Sequence, residues 1–206
     1  MSQYFVVHPD NPQQRLISQA VSIIRDGGVI VYPTDSCYAL GCALGNKAAM
    51  ERIARIRRTD SKHNFTLVCR DLSEISTYAR FDNSVYKLLK SLTPGPYTFI
   101  LKATSEVPRR LQNPRRKSIG IRVPDNNICR DLLAALGESL MSSTLILPEN
   151  DLPETEPDEI RAKLEKQVDL IIDGGHCGFE PTSVLSIDPD GRVEVLREGR
   201  GPLDFL

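Results

Sequence analysis

Small hydroxyl residues and arginines recur at the ends of apolar runs in this chain, a combination suited to holding an anion. Thr34, Asp35 and Ser36 follow VIVYP; Arg57, Arg58, Thr59, Ser61, Lys62 and Asn64 precede FTLVC. Arg122 sits in IGIRVP, Ser142, Ser143 and Thr144 in LMSSTLIL, and Thr182, Ser183 and Arg197 late in the chain. A guanidinium offers a planar fork of donors to phosphate or carboxylate, and hydroxyls add short directional bonds, so the set points to a nucleotide or an amino acid. Singly, each residue also fits a plain structural role: Thr34 in a strand-ending turn, Arg122 at a solvated edge, the LMSST hydroxyls bonded to neighbouring strands. Patterns for other chemistries are absent. There is no Ser-His-Asp order, nucleophile elbow, Walker loop or GxGxxG, and Cys37 and Cys42 lack a second pair of ligands at zinc spacing. No metal site is expected.

The elements that must position these residues alternate between strand and helix. Leu16, Ala20, Ile23 and Ile24 share one helical face within 11–26, which Gly27-Gly28 can end, and VIVYP reads as a short buried strand. Asn46 can cap a second helix, AAMERIARIRR, before the strand FTLVC. Helical stretches at 73–78 and 84–92 precede the turn PGP, then strands YTFILKA and IGIRVP, a helix over 127–136 and the strand LMSSTLIL. A charged helix opens at Glu156-Pro157-Asp158 and runs to Lys166; VDLIIDGG is a strand, and TSVLSIDPDGRVEVLRE a hairpin. The polar segment PENDLPETEPDE between them is expected to be a surface loop. This alternation predicts one α/β domain over residues 1–206, with a twisted, mostly parallel or mixed open sheet and flanking helices.

The 206 residues are 40% hydrophobic and 26% charged, which places the chain in the ordinary globular class. Lys and Arg number 26 against 27 Asp and Glu, so affinity for a polyanion has to come from local clustering. Clustering is present. Lys47–Arg70 holds seven basic and two acidic residues, and Lys102–Arg130 eight and two, whereas Glu149–Asp173 holds nine acidic and three basic. Converging, the two basic stretches would form a concavity suited to phosphates. Five scattered cysteines read as reduced, partly buried thiols. With no apolar run of membrane-spanning length and no signal-peptide pattern, the expectation is a cytoplasmic protein without a membrane partner.

In order, GGVIVYPTDSCYALGC, IARIRR with NFTLVC, LTPGPYTFIL, IGIRVPDN, LMSST, PTSVLSID and VLREGRG span about 30 to 200. This succession resembles the YrdC-like family, the threonylcarbamoyl-AMP synthases, and is most similar to its YciO branch. The resemblance implies a sheet around a large basic cavity that takes ATP, L-threonine and bicarbonate and forms threonylcarbamoyl-adenylate for tRNA modification. Magnesium would come with ATP, with no cofactor bound by the protein alone. By the same resemblance Thr34, Arg122, Thr182 and Ser183 fall on threonine-binding positions, and Asn64 and Arg197 on nucleotide-binding ones; Ser142 and Thr144 join the latter as hydroxyls of the central strand.

The departures fall where catalysis is expected. The synthases carry Lys-x-Arg where this chain has Arg57 and Thr59, or Arg57 and Arg58, and Ser-x-Asn where it has Thr144 and Ile146. An isoleucine can neither donate nor accept, and a hydrogen bond lost from a charged ligand costs on the order of 1.5 to 3 kcal/mol. Arg57, Arg58 and Lys62 remain to stabilise charge on a departing pyrophosphate. A poor synthase or a different activity is expected. The alternative is a non-catalytic protein that binds double-stranded RNA, tRNA or rRNA through Arg109, Arg110, Arg115 and Arg116, by shape and phosphate contact.

Overall fold

The computed structural model describes residues 1–59 and 64–206, with the side chain of Arg110 outside that description. The chain opens with β1 (Gln3–Val6), α1 (Gln14–Arg25), β2 (Ile30–Tyr32), β3 (Ala39–Ala43), α2 (Lys47–Arg57) and β4 (Thr66–Val68). It continues through α3 (Leu72–Tyr78), β5 (Ala79–Arg80), α4 (Asn83–Leu92), β6 (Tyr97–Ala103), β7 (Ser118–Arg122) and α5 (Asn127–Leu136). The last third holds β8 (Leu140–Thr144), α6 (Pro157–Leu164), β9 (Leu170–Asp173), β10 (Ser183–Ile187) and β11 (Val193–Arg197).

Among the described residues eleven strands join one twisted sheet, in the order β1-β9-β2-β3-β8-β4-β7-β6-β10-β11, with β5 beside β6. The sheet is mixed. Among the described residues β1 with β9, β9 with β2, β4 with β7 and β6 with β10 pair in parallel; the remaining pairings are antiparallel. Local signals account for most element ends. The side chains of Asn46, Asp71, Asp82 and Asn126 each accept from a backbone N–H in the first turn of α2, α3, α4 and α5. Gly137 ends α5 in the left-handed region.

The strand β3 is one the sequence did not announce, because ALGCA mixes small residues and a mid-strand glycine instead of alternating. Its glycine has a packing reason: a Cβ at Gly41 would stand 2.7 Å from Leu140 and 2.8 Å from Tyr32. The acidic loop is also less solvated than expected. Glu154 within it is buried, and takes Lys163 Nζ at 2.9 and 3.0 Å and Asn150 at 2.7 Å.

The faces of the sheet differ, and that difference makes the site. On one face Leu40, Leu67, Phe99, Ile121, Met141 and Leu185 form a continuous core under α2, α3, α4 and α6. On the other, α1 and α5 pack over β2, β9 and the ends of β4 and β8. Beyond them that face changes character. Pairing register aligns Ala39 with Thr144, Ser142 with Thr66, Thr66 with Gly120, Gly120 with Ile100, and Thr98 with Val184, so small and hydroxyl residues form a polar floor.

Candidate functional site

A cavity of about 510 Å3 stands on this floor. Four arginines reach its lining from separate elements: Arg57 from the end of α2, Arg116 from the β6–β7 loop, Arg122 from the end of β7 and Arg197 from the end of β11. Asn64, Ser142, Thr144 and Thr182 join them, the Ser142 hydroxyl being already bonded to Tyr32 Oη at 2.6 Å and to the Leu40 carbonyl at 3.2 Å, and no carboxylate is among the described lining residues. Leu111, Ile146 and Leu196 supply apolar wall.

Arg122, Arg197 and Arg57 are each held differently. Arg122 is buried and donates from Nη2 to Asp35 Oδ1 at 2.5 Å and Ser36 Oγ at 3.3 Å. The other Asp35 oxygen accepts from the Asp125 N–H at 2.9 Å, so its carboxylate is locked in place. Arg122 Nε is buried and has no hydrogen-bond partner among the described residues. Leaving such a donor unmet costs about 1 to 3 kcal/mol. Arg197 donates to the Thr182 carbonyl at 2.9 Å and to Thr182 Oγ1 at 3.1 Å, and Thr182 in turn meets Thr98 at 2.8 Å. Desolvation, reinforced by the nearby Arg122 charge, pushes the Arg197 pKa down. Arg57 donates to Ser143 Oγ at 2.6 Å and to the Ile146 carbonyl at 3.4 Å, bracing the end of β8, and burial lowers its pKa as well.

Other residues expected in the site stand behind it or away from it. Thr34 is buried outside the lining, and its Oγ1 donates to the Cys37 carbonyl at 2.6 Å and accepts from the N–H groups of Ser36 and Cys37. Thr34 thereby builds the turn that presents Asp35 to Arg122. Ser183 donates to the Gly201 carbonyl at 2.6 Å and accepts from the Gly199 N–H at 3.0 Å, pinning the segment after β11. Arg58 lies on the surface, 3.3 Å from Glu149. Arg109 and Arg115 are exposed, on the same segment as Arg116 but outside the lining. Lys62 lies outside the described residues, as does the side chain of Arg110.

Sequence reading passed over Thr66, Thr98, Asn113 and Gly120, which line the cavity. Alternation on β6 and β7 carried the signal: Thr98 and Ile100 face the cavity while Phe99 and Leu101 face the core. The five cysteines are all free and buried. Burial pushes the Cys37 thiol, behind the Thr34 turn, up to about 11, so it is no nucleophile at neutral pH. No group of three or more His, Cys, Asp or Glu among the described residues is placed to hold a metal.

With that geometry in view, a sequence profile described as Sua5/YciO/YrdC, telomere recombination, matches residues 22–199. The chain belongs to the Sua5/YciO/YrdC family. It is 61% identical over 201 residues to the uncharacterized protein YciO of Escherichia coli K12, covering 98% of this chain and 97% of that one. The crystal structure of E. coli YciO superposes with a TM-score of 0.94 at 60% identity, covering 98% of each chain. A putative threonylcarbamoyl-AMP synthase of Methanocaldococcus jannaschii is 29% identical over 184 residues, 89% of this chain and 85% of that one. The Sua5/YciO/YrdC fold extends to P. abyssi Sua5 complexed with L-threonine, with a TM-score of 0.89 at 20% identity over 99% of this chain and 59% of that one.

Proposed function

We propose that the cavity binds a nucleotide together with an amino acid, and that this chain is a weak, divergent relative of the threonylcarbamoyl-AMP synthases. The lining carries the reading: four arginines and no carboxylate among the described residues, on a floor of hydroxyls. In a partly enclosed space such charges act at lower effective dielectric than at the surface, which favours phosphate and carboxylate groups. Asp35 offsets only the charge of Arg122.

Within this reading the Arg122 guanidinium, which reaches the lining, takes the amino acid's carboxylate, and the L-threonine in P. abyssi Sua5 supports that class of ligand. Thr182 and Ser183 shape the same end, the second through the backbone it pins. Arg57, Arg116 and Arg197 face phosphates, with Asn64, Ser142 and Thr144 completing the nucleotide end. Magnesium arriving on ATP rides on phosphate oxygens, since the described lining supplies no carboxylate for it. Ile146 in the lining removes the amide that the synthase pattern places there, which is the physical reason for weak turnover.

The test is pyrophosphate release from ATP that requires both L-threonine and bicarbonate. Slow release dependent on both is expected; none at high enzyme concentration would overturn the synthase part. A second reading rests on the exposed Arg109 and Arg115 beside Arg116 at the cavity lining: an RNA duplex could lie across this segment. Binding of that kind weakens steeply with salt and is lost when Arg109, Arg115 and Arg116 become glutamate. Affinity indifferent to both changes would dismiss it.

A further inference from the structure

We propose a second binding site, at the carboxyl ends of β4 and β7, for a small anion with a flat apolar body. These strands lie side by side and parallel. From β4 the chain departs into α3, whose Ile75 and Tyr78 pack in the core beneath one face of the sheet. From β7 it departs into α5, whose Ile128 and Leu132 pack with α1 on the opposite face. Adjacent parallel strands whose connections leave to opposite faces open a crevice beyond their carboxyl ends, the place where open α/β sheets seat ligands.

A cavity of about 380 Å3 occupies that crevice, within the range of small-ligand pockets. It shares no lining residue with the larger cavity. Leu72, Val123, Pro124 and Leu133 give it an apolar floor, and Tyr86 contributes a ring that is 42% exposed. Three cations line it: Arg70, Lys90 and Arg130. The acids near them are already engaged. Asp71, which also lines the cavity, lies 3.4 Å from Arg70 and caps α3 with its other oxygen, and Asp125 lies 3.5 Å from Arg130. The Lys90 side chain has no hydrogen bond or ion pair among the described residues. An apolar floor favours a ring, Tyr86 offers it a face, and Lys90 favours an anionic group at its edge.

Amide NMR of the full chain titrated with indole-3-acetate, an aromatic carboxylate, tests this, with inorganic phosphate as the anion that lacks a ring. Saturable shifts of the Leu72, Lys90 and Val123 amides are expected with the first and none with the second at equal concentration. Lys90→Glu, an exposed substitution whose fold the same spectrum verifies, should weaken binding at least tenfold, and Lys90→Ala should weaken it less. Shifts confined to the larger cavity, no shifts, equal binding of phosphate, or unchanged affinity in Lys90→Glu would each overturn the proposal.

Discussion

At the scale of single residues, the cavity sets four arginines and several hydroxyl residues against an apolar wall that includes Ile146. Ile146 lines the space where a synthase pattern has asparagine, and its backbone carbonyl is engaged by Arg57. Restoring the amide by Ile146→Asn is expected to raise threonine-dependent pyrophosphate release by about one to two decades, read from initial rates at saturating ATP. An unchanged rate would mean this position does not limit turnover. The explicit chemistry of arginine singles out Arg57, Arg122 and Arg197, which reach the lining, while the sequence points Arg116 toward RNA and Thr34 stands behind the cavity for a physical reason. Its hydroxyl serves the turn, and the carboxylate that holds Arg122 belongs to the neighbouring Asp35, behind the lining. A residue type announces what a side chain can bond, and only the local backbone decides what it does bond.

Elements hold these residues in place through ordinary capping and register. Asn46 Oδ1 accepts from the Ala49 N–H at 3.0 Å and starts α2, the helix that delivers Arg57 to the cavity. Asn46→Ala is expected to cost about 1 kcal/mol, seen as a fall of about 2 to 4 °C in Tm. Helices were legible from their periodicity and caps, and α5 falls on the expected 127–136. Strands less so: β3 hid behind Gly41, and the two-residue β5 is too short to carry a pattern. Apart from the β10–β11 hairpin, the parallel or antiparallel sense of the pairings was not legible, since it depends on contacts remote in sequence. What brings Arg116, Arg122 and Arg197 together is that long-range order, with β7, β6, β10 and β11 side by side.

Across the whole molecule, burial of ionisable groups has a consequence for stability against pH. Burial raises every cysteine, Cys37 to about 11 and Cys42 to about 12. Between the ordinary thiol pKa near 9 and these values the unfolded chain gives up protons that the folded chain keeps, so stability falls as pH rises. Each such thiol contributes a slope of about 1.4 kcal/mol per pH unit in that window. Urea midpoints at pH 8, 9 and 10 should decrease in that order; a flat profile would contradict it. The large cavity is assembled where one face of the sheet turns polar. Gly120 sits on its floor within β7, and a Cβ there would lie 3.3 Å from the end of Ile100, which must give by a few tenths of an ångström, and 3.5 Å from Thr66 Oγ1, so Gly120→Val intrudes on the cavity floor and its fold is checked by Tm before titration. The most direct measurement is calorimetric titration of the wild-type chain and Gly120→Val with ATP and magnesium, with and without L-threonine. Saturable binding in the wild type, strengthened by threonine and weakened at least tenfold in Gly120→Val, is the expected result. No binding at millimolar ligand, or equal binding by a folded Gly120→Val, would contradict the account.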